Sequence, residues 1–334
     1  MRAMVLHEIA PIETSPLRFE VRPDPEPGPG EVRLRVECCA ICRTDLHVIE
    51  GDLPRDRLPV IPGHQVVGVI DAVGADCRRL RIRQRVGVAW LRQTCGACEF
   101  CRSGRENLCA SARFTGYHAD GGFAERAVVR EDFAYEIPEA FPSVEAAPLL
   151  CAGIIGYRAL KRACLPPGGT LGLFGFGSSA HVVLPIARHR GSRVFVVTRG
   201  EGHRELARHL GADWVGASIE GMPEPLDSAI LFAPAGELVP VALSALKKGG
   251  TLALAGIYLT PIPPLDYETH LFYERNLHSV TANTREDGRE LLAEAAAIPL
   301  RPHTTTYPLA EANRALQDLK ADRIRGTGVL IMEA

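Results

Sequence analysis

Four cysteines lie within one short segment, "TCGACEFCRSGRENLC", which spans residues 94 to 109. Cys95, Cys98, Cys101 and Cys109 follow the spacing C-x2-C-x2-C-x7-C. A C-x2-C step lets two sulfur atoms converge on one ion, and zinc binds four thiolates as a closed tetrahedron. Disulfides and an iron–sulfur cluster remain alternatives, although ferredoxin-like arrays have a different spacing. We therefore predict a structural zinc site, which orders a surface lobe but leaves no open position for a substrate.

The composition is that of an ordinary globular protein and gives these cysteines their context. The chain has 334 residues, of which 46% are hydrophobic and 23% charged, with a formal net charge of −2. This length favours two domains whose cores need no disulfide support. The charge balance argues against a nucleic acid or an anionic membrane as partner. The first residues, "MRAMVLHEIAPIE", do not resemble a signal peptide, and no apolar run reaches the ~18 residues of a membrane span, so we expect a cytoplasmic protein.

Three further residues of metal-ligand type stand far apart in the chain. They are Cys42 in "AICRTDLH", His64 in "IPGHQVVG" and Cys151 in "PLLCAGIIGYRAL". Two thiolates and one imidazole with a free fourth position form a catalytic zinc site. Taken singly, each cysteine could be an ordinary buried thiol and His64 a loop histidine. The spacing by itself does not show that the three residues converge.

The elements that must position these residues fall into two groups. Up to about residue 150 the chain is rich in β-strands and loops, with predicted strands in "EVRLRVECCAI", "VVGVIDAVG" and "RVGVAW". After residue 152, strands alternate with helices, from "TLGLFGFGSSAHVVLPIARHRG" through "SRVFVVTRG" and "DSAILFAP" to "GGTLALAGIY" and "LHSVTA". Such alternation predicts a parallel sheet covered on both faces. Two helices, in "REDGRELLAEAAAI" and "LAEANRALQDLKADR", and a final strand, "GTGVLIM", complete the chain.

A glycine turn in the second half predicts a dinucleotide site. Gly175, Gly177 and Ala180 form G-x-G-x-x-A between a strand and a helix, which is the context that this weak motif requires. Gly175 permits the tight turn, Gly177 lets the backbone approach a pyrophosphate at the helix N-terminus, and Ala180 allows close packing. The alternative is a glycine-rich turn without a ligand. Candidate contacts at later strand ends are Ala233, Gly256 and Ile257.

The end of the next strand indicates which nicotinamide cofactor is used. NAD-selective sites place an acidic residue there, whereas this chain has Thr198 and Arg199 in "VFVVTRG". A guanidinium can bind the additional phosphate of NADP. Glu201, two residues further on, could reach a ribose and argues for NAD. We favour NADP(H) over NAD(H).

Several segments in this order resemble the zinc-dependent medium-chain alcohol dehydrogenases. They are "CRTDLHVIEGDLP", "PVIPGHQVVGVIDAVG", "CGACEFCRSGRENLC", "GYHADGGFAERAVV" and "APLLCAGIIGYRALKRA", followed by the glycine turn. Within that family the chain is most similar to bacterial alcohol dehydrogenases and to the cinnamyl-alcohol-dehydrogenase branch. The resemblance implies an α/β fold: a GroES-like β-barrel-type catalytic domain, residues 1–151 together with 286–334, and a Rossmann domain with a doubly wound parallel sheet, residues 152–285.

The resemblance also assigns roles to individual residues. Cys42, His64 and Cys151 match the ligands of the catalytic zinc, so that each chain would hold two zinc ions. Thr44 and His47 match a relay that carries the released proton to water, and Asp45 matches the carboxylate that orients the ligand histidine. Alternatively, "RTDLH" simply begins a helix with Thr44 or Asp45 as its cap, and both roles can coexist. Relatives form dimers or tetramers, so we expect a homodimer or homotetramer.

One residue beside the predicted zinc departs from the family pattern. The histidine ligand is usually followed by glutamate, and here Gln65 follows His64. With one negative charge fewer, we expect an alcohol or water bound to the zinc to be more acidic.

The predicted reaction is hydride transfer between an alcohol, aldehyde or ketone and a nicotinamide cofactor. Two alternatives remain: a zinc-independent enoyl or quinone reductase on the same fold, and a non-catalytic protein that binds zinc and a dinucleotide. The first usually lacks the Cys42, His64 and Cys151 set. The relay residues Thr44 and His47 argue against the second.

Overall fold

The computed structural model describes residues 1–54, 57–298 and 300–332. Residues 55 and 56 of the first predicted domain segment, and residues 299, 333 and 334 of the last, lie outside the described residues. The chain folds into two units. The first consists of Met1–Cys151, Ala282–Ala296 and Arg301–Ala334, and the second consists of Ala152–Thr281 and Ala297–Leu300.

The described residues form strands, α-helices and short 3-10 turns. The strands are β1 (Arg2–Leu6), β2 (Leu17–Val21), β3 (Glu31–Ala40), β4 (Gln65–Val73), β5 (Arg85–Val88), β6 (Leu91–Gln93), β7 (Arg113–Phe114), β8 (Arg126–Arg130), β9 (Ala134–Glu136), β10 (Thr170–Phe174), β11 (Arg193–Val197), β12 (Trp214–Gly216), β13 (Leu226–Leu231), β14 (Leu246–Leu254), β15 (Asn276–Ser279), β16 (Thr304–Pro308) and β17 (Thr327–Ile331). The α-helices are α1 (Arg43–Glu50), α2 (Glu99–Arg102), α3 (Ser143–Ala146), α4 (Ala152–Arg162), α5 (Ala180–His189), α6 (Glu201–His209), α7 (Leu238–Ser244), α8 (Tyr267–His270), α9 (Arg285–Ala297) and α10 (Ala312–Lys320). The 3-10 turns are Ile12–Thr14, Glu106–Leu108, Glu131–Phe133, Ala147–Leu150 and Leu309–Glu311.

The first unit is built on a mixed sheet whose central strand is β3. The strand order is β16-β17-β3-β4-β5-β9, and β8 also pairs with β3. Along β3, the alternating residues Val32, Leu34 and Val36 are buried, as the sequence pattern predicts for a strand with one face on a core. Because β3 and β4 are antiparallel and Ala40 lies opposite Gln65, the end of β3 meets the start of β4.

The second unit contains the predicted parallel sheet, which is confirmed. Its order is β12-β11-β10-β13-β14-β15, and each neighbouring pair is parallel. The chain runs outward from β10 to β12, then returns to place β13 on the other side of β10. This reversal is the switch point of a doubly wound sheet, and ligands bind outside the carboxyl ends of the strands there. All five residues of β10 are buried, in keeping with a strand covered on both faces.

Among the described residues, no individual helix combines the length and the apolar character needed to cross a membrane. The segments Ser143–Leu150 and Ala152–Arg162, which are bent relative to each other by 45°, have the necessary length and composition only when they are taken together.

Candidate active site and metal centres

The pairing of β3 with β4 brings Cys42 and His64 together. Cys42 follows the end of β3 and immediately precedes α1, and His64 immediately precedes β4. Since the two strand ends are neighbours, residues 22 positions apart meet, with Cys42 Sγ 3.3 Å from His64 Nε2. His64 is buried, whereas Cys42 is partly exposed.

Cys151 reaches the same point from the end of the 3-10 turn Ala147–Leu150. That turn packs tightly on β5: a Cβ added to Gly87 would lie 2.7 Å from Leu150 Cδ1. Leu149 and Leu150 are fully buried, which anchors the segment just before Cys151. The two sulfur atoms and the His64 nitrogen all lie within 4.8 Å of one another. Three separate parts of the chain therefore converge, which the sequence spacing could not establish.

Asp45 holds two of these residues in place. Its Oδ1 lies 3.1 Å from His64 Nδ1, and its Oδ2 accepts a hydrogen bond of 2.8 Å from the Cys42 backbone N–H. The second contact caps the first turn of α1, so the capping role and the histidine-orienting role occur in one side chain. The bond to Nδ1 leaves Nε2 as the nitrogen that faces the sulfur atoms.

The charges at this point favour a bound cation. Burial alone would lower the pKa of His64, but the charges of Asp45 and Cys42 raise it to about 10. The pKa of Cys42 is lowered well below its usual value, chiefly because Cys151 donates a hydrogen bond to its sulfur, and the pKa of Cys151 is raised correspondingly. Protons thus link three groups of metal-ligand type, and a cation bound there would replace those protons.

The donor set fits zinc. Bonds of about 2.3 Å to sulfur and about 2.0 Å to nitrogen imply ligand atoms roughly 3.5 to 3.8 Å apart in a tetrahedron. The distance of 3.3 Å between Cys42 Sγ and His64 Nε2 is close to this range. The distances from Cys151 Sγ to these two atoms are no more than 4.8 Å, which is compatible with a shared ion. Three protein ligands leave the fourth position of a tetrahedron for an oxygen of a small molecule.

The predicted relay residues lie on α1, directly after Cys42. Thr44 is buried in the first turn, and its side chain is one of the groups that lower the pKa of Cys42. His47 is one turn further on, and its Nδ1 lies 2.7 Å from Asp52 Oδ2. The sequence analysis missed Asp52. Gly51 could have indicated this contact, because glycine commonly ends a helix and here turns the chain back toward His47.

Two further side chains border His64. Trp90 meets its ring edge-on, with ring centroids 4.9 Å apart, and stacks on Phe114 at 4.9 Å. Trp90 is buried, so it belongs to the core of the first unit and also contacts the candidate ligand. Gln65 is fully buried, and neither of its amide atoms has a hydrogen-bond partner among the described residues. With a neutral Gln65, Asp45 supplies the carboxylate that faces the ligand set.

The four clustered cysteines form a second centre, away from the first in sequence. The sulfur distances are 3.8 Å for Cys95–Cys101, 3.5 Å for Cys98–Cys101 and 3.6 Å for Cys95–Cys109. The edges of a zinc–sulfur tetrahedron are about 3.8 Å long, so the cage matches a structural zinc site. Backbone N–H groups of Ala97 and Cys98 lower the pKa of Cys95 to about 6, which favours the thiolate that zinc requires.

The predicted dinucleotide residues lie at the carboxyl ends of four strands of the second unit. Gly175 follows β10 with φ of 90°, and a Cβ there would lie 2.8 Å from the Ala233 backbone nitrogen after β13. A Cβ on Gly177 would enter open space, which suits the approach of a ligand. Ala180 begins α5. Thr198 and Arg199 follow β11, and Gly256 and Ile257 follow β14.

Comparison with known proteins identifies the same two regions. Residues 28–139 match the profile of the alcohol dehydrogenase GroES-like domain, and residues 178–297 match the profile described as zinc-binding dehydrogenase. The predicted fold class, a GroES-like domain with a Rossmann domain, is thereby confirmed.

Individual relatives match over nearly the whole chain. A probable alcohol dehydrogenase of Mycobacterium tuberculosis (strain CDC 1551 / Oshkosh) is 51% identical over 337 residues, covering 99% of this chain and 97% of the relative. An alcohol dehydrogenase of Geobacillus stearothermophilus is 33% identical over 343 residues, covering 99% of both. The solved structure of a cinnamyl alcohol dehydrogenase from Sorghum bicolor superposes with a TM-score of 0.90 at 28% identity, covering 99% of this chain and 97% of that one.

Proposed function

Since this chain belongs to the zinc-dependent medium-chain alcohol dehydrogenase family, we propose that Cys42, His64 and Cys151 hold its catalytic zinc. The observation that carries this proposal is the convergence of their ligand atoms within 4.8 Å, with Asp45 fixing the imidazole. Cys95, Cys98, Cys101 and Cys109 hold a second, structural zinc. The catalytic domain comprises residues 1–151 with 286–334, and the dinucleotide domain comprises residues 152–285.

The reaction is hydride transfer between a small-molecule alcohol and a nicotinamide cofactor, or the reverse reduction of an aldehyde or ketone. When bound, zinc would act as a Lewis acid on the substrate oxygen and the nicotinamide would accept the hydride. The chain supplies the route for the proton. Thr44 accepts the proton from the alcohol and passes its own to His47, which releases it to water. Similarity to the sorghum enzyme supports the cinnamyl-alcohol-dehydrogenase-like branch.

The cofactor would bind at the carboxyl ends of the second unit's strands. Gly175, Gly177 and Ala180 would hold the pyrophosphate, and Ala233, Gly256 and Ile257 would contact the nicotinamide half. An assay of primary, secondary and aromatic alcohols with both oxidised cofactors, combined with zinc analysis, tests this function. Zinc-dependent turnover with two zinc ions per chain supports it, whereas one zinc ion and no turnover would favour a non-catalytic protein.

We propose NADP(H) as the preferred cofactor because of the charges after β11. Glu201, which could have bound a ribose, is paired with Arg204 and with Arg208, the latter at 3.3 Å. Arg204 also donates to the Arg199 carbonyl oxygen at 2.8 Å. The Arg199 side chain is exposed at the strand end. The acidic side chain is thus neutralised, and the exposed Arg199 guanidinium is the group that would bind a 2′-phosphate.

Arg199→Ala is expected to lower kcat/KM for NADPH about tenfold to a hundredfold, while kcat/KM for NADH changes little. The reason is that a hydrogen bond to a charged group contributes about 1.5–3 kcal/mol, and 1.4 kcal/mol is tenfold. Arg193→Ala serves as the control, since Arg193 lies at the opposite end of β11 and pairs with Glu224. A wild-type preference for NADH, or an equal loss with both cofactors, would refute the assignment.

We also propose a homodimer formed through the edge of the parallel sheet. β15 is the outermost strand, so its outer backbone groups can pair with a second copy, and a two-fold axis makes such pairing self-complementary. Next to it, Tyr267, Phe272 and Tyr273 expose 66%, 55% and 39% of their surface, a cluster that a second copy would cover.

Light scattering should give a mass of about twice 36.2 kDa, and Phe272→Glu should reduce it to that of a monomer, because the charge cannot be buried without a partner. Phe19→Glu, at a 49% exposed phenylalanine on β2, is the matched control and should leave the dimer intact. A monomeric wild type, or a Phe272→Glu variant with unchanged mass, would contradict the proposed interface. The cytoplasm remains the proposed location, as expected from the sequence.

A further inference from the structure

The last turn of α1 returns the chain onto His47. Gly51 has φ of 84°, a left-handed conformation that glycine adopts without steric cost. The backbone N–H groups of Gly51 and Asp52 both donate to the His47 carbonyl oxygen, at 3.1 and 3.0 Å. This helix ending ties residue 52 to the backbone of residue 47, so that the Asp52 side chain lies beside the imidazole.

The contact between the two side chains defines how the imidazole carries its hydrogen. Asp52 Oδ2 is 2.7 Å from His47 Nδ1. An ionised carboxylate only accepts hydrogen bonds, so Nδ1 is the nitrogen that bears hydrogen. In the neutral ring the lone pair is then on Nε2. The His47 side chain is 17% exposed and that of Asp52 51% exposed, so the imidazole is enclosed while the carboxylate reaches water.

We propose that Asp52 is a positioning residue for the proton relay, an inference that rests on the proposed function. Asp52 holds His47 in the Nδ1–H form, so that Nε2 accepts the proton that Thr44 passes on. The ring becomes an imidazolium with hydrogen on both nitrogens, and the Asp52 carboxylate stabilises its positive charge. The Nε2 proton then leaves to water and the neutral ring is restored. Asp52 itself gains and loses no proton.

Nitrogen NMR of the zinc-loaded, full-length protein tests the tautomer directly. With ¹⁵N-labelled histidine, the His47 signals are assigned by comparison with a His47→Gln variant, because the chain has 11 histidines. The neutral wild-type ring should bear its hydrogen on Nδ1. Asp52→Ala should shift the population to the Nε2–H form, which an imidazole in water favours, whereas Asp52→Asn should keep Nδ1–H through its amide oxygen. A wild-type ring with hydrogen on Nε2 would overturn the inference.

Kinetics test whether the tautomer matters for turnover. Asp52→Ala should lower kcat for alcohol oxidation about tenfold to a hundredfold, the range for losing a partner that orients a functional histidine, with little change in KM. Added imidazole should raise the rates of Asp52→Ala and His47→Ala relative to that of the wild type at the same imidazole concentration, a comparison that corrects for imidazole bound at the open position of the zinc. A variant that carries both Asp52→Ala and His47→Ala should be no slower than His47→Ala alone. Asp52 acts only through the His47 imidazole, so its loss has no further effect once that imidazole is removed.

Glu50→Gln is the matched control. Glu50 is two residues away and binds Lys320 at 2.8 Å rather than His47, so this variant should keep the wild-type rate without added imidazole. An unchanged kcat in Asp52→Ala, or a loss that imidazole does not rescue, would refute the positioning role. Absence of zinc-dependent alcohol oxidation in the wild type would instead refute the proposed function, and the tautomer measurement would still decide the role of Asp52.

Discussion

Replacing Cys151 with alanine is expected to reduce the zinc content from two ions per chain to one and to lower kcat/KM for alcohol oxidation by at least about a thousandfold. The loss follows because a Lewis acid contributes several kcal/mol to such a reaction, and about 4 kcal/mol corresponds to a thousandfold. Metal analysis and steady-state kinetics on the same preparation provide the measurement. Cys151 lies between a 3-10 turn and α4, so the substitution removes no hydrogen bond between strands.

Cys39→Ala is the control for this experiment. Cys39 is fully buried near the end of β3, three residues before Cys42, but its sulfur is not part of either ligand group. Its Sγ hydrogen-bonds the Ala40 carbonyl oxygen. This variant should keep two zinc ions and most of the activity, because it removes a thiol of the same core without removing a ligand. A Cys151→Ala protein that retained two zinc ions and its activity would rule out the proposed catalytic centre.

The two candidate metal centres show how much of a site can be predicted from the sequence. The four-cysteine cage is local, so the C-x2-C steps alone indicate that its sulfur atoms can converge. Cys42, His64 and Cys151 are distant in the chain, and their meeting depends on the Ala40–Gln65 register of β3 with β4 and on the packing of Leu150. The residue types identify Cys42, His64 and Cys151 as possible ligands, and the family resemblance assigns them to one zinc ion. Only the three-dimensional structure gives the distances between their ligand atoms.

Elements without a strong hydrophobic pattern were not predicted. β16 has the sequence "TTTYP", in which the buried Tyr307 follows three threonines, so it shows no clear alternation of apolar and polar residues. β12 has only three residues, too few to give a pattern. Asp52 was missed for a different reason: its contact with His47 depends on the backbone turn at Gly51 and not on residue spacing. The features that could not be predicted from the sequence therefore depend on turn conformation and strand register, which the hydrophobic pattern does not determine.

Cys98→Ser is expected to remove the zinc ion of the four-cysteine site. In contrast to Cys151→Ala, it should lower the stability of the protein more than its catalytic activity. The lobe from residue 94 to 112 has only α2 and one 3-10 turn, and no residue of α2, among those described, is buried. A segment with so little apolar burial depends on its metal for order, since the free energy of zinc binding contributes to folding. Zinc content should fall to one ion per chain, and the melting temperature should fall with it.

The loss of order should affect the whole lobe, including its contact with α9. Glu106, three residues before Cys109, accepts hydrogen bonds from the backbone and side chain of Arg285, at 3.0 and 3.2 Å, where α9 begins. Limited proteolysis with mass spectrometry should therefore cut the Cys98→Ser variant between residues 94 and 112, while the Cys42, His64 and Cys151 centre keeps its zinc and measurable activity. Cys164→Ser, at an exposed cysteine outside both ligand groups, should retain two zinc ions and resist cleavage. Each variant loses one thiol, but Cys98 belongs to the four-cysteine group and Cys164 does not. Equal protease resistance of Cys98→Ser and Cys164→Ser would therefore show that the lobe folds without its metal.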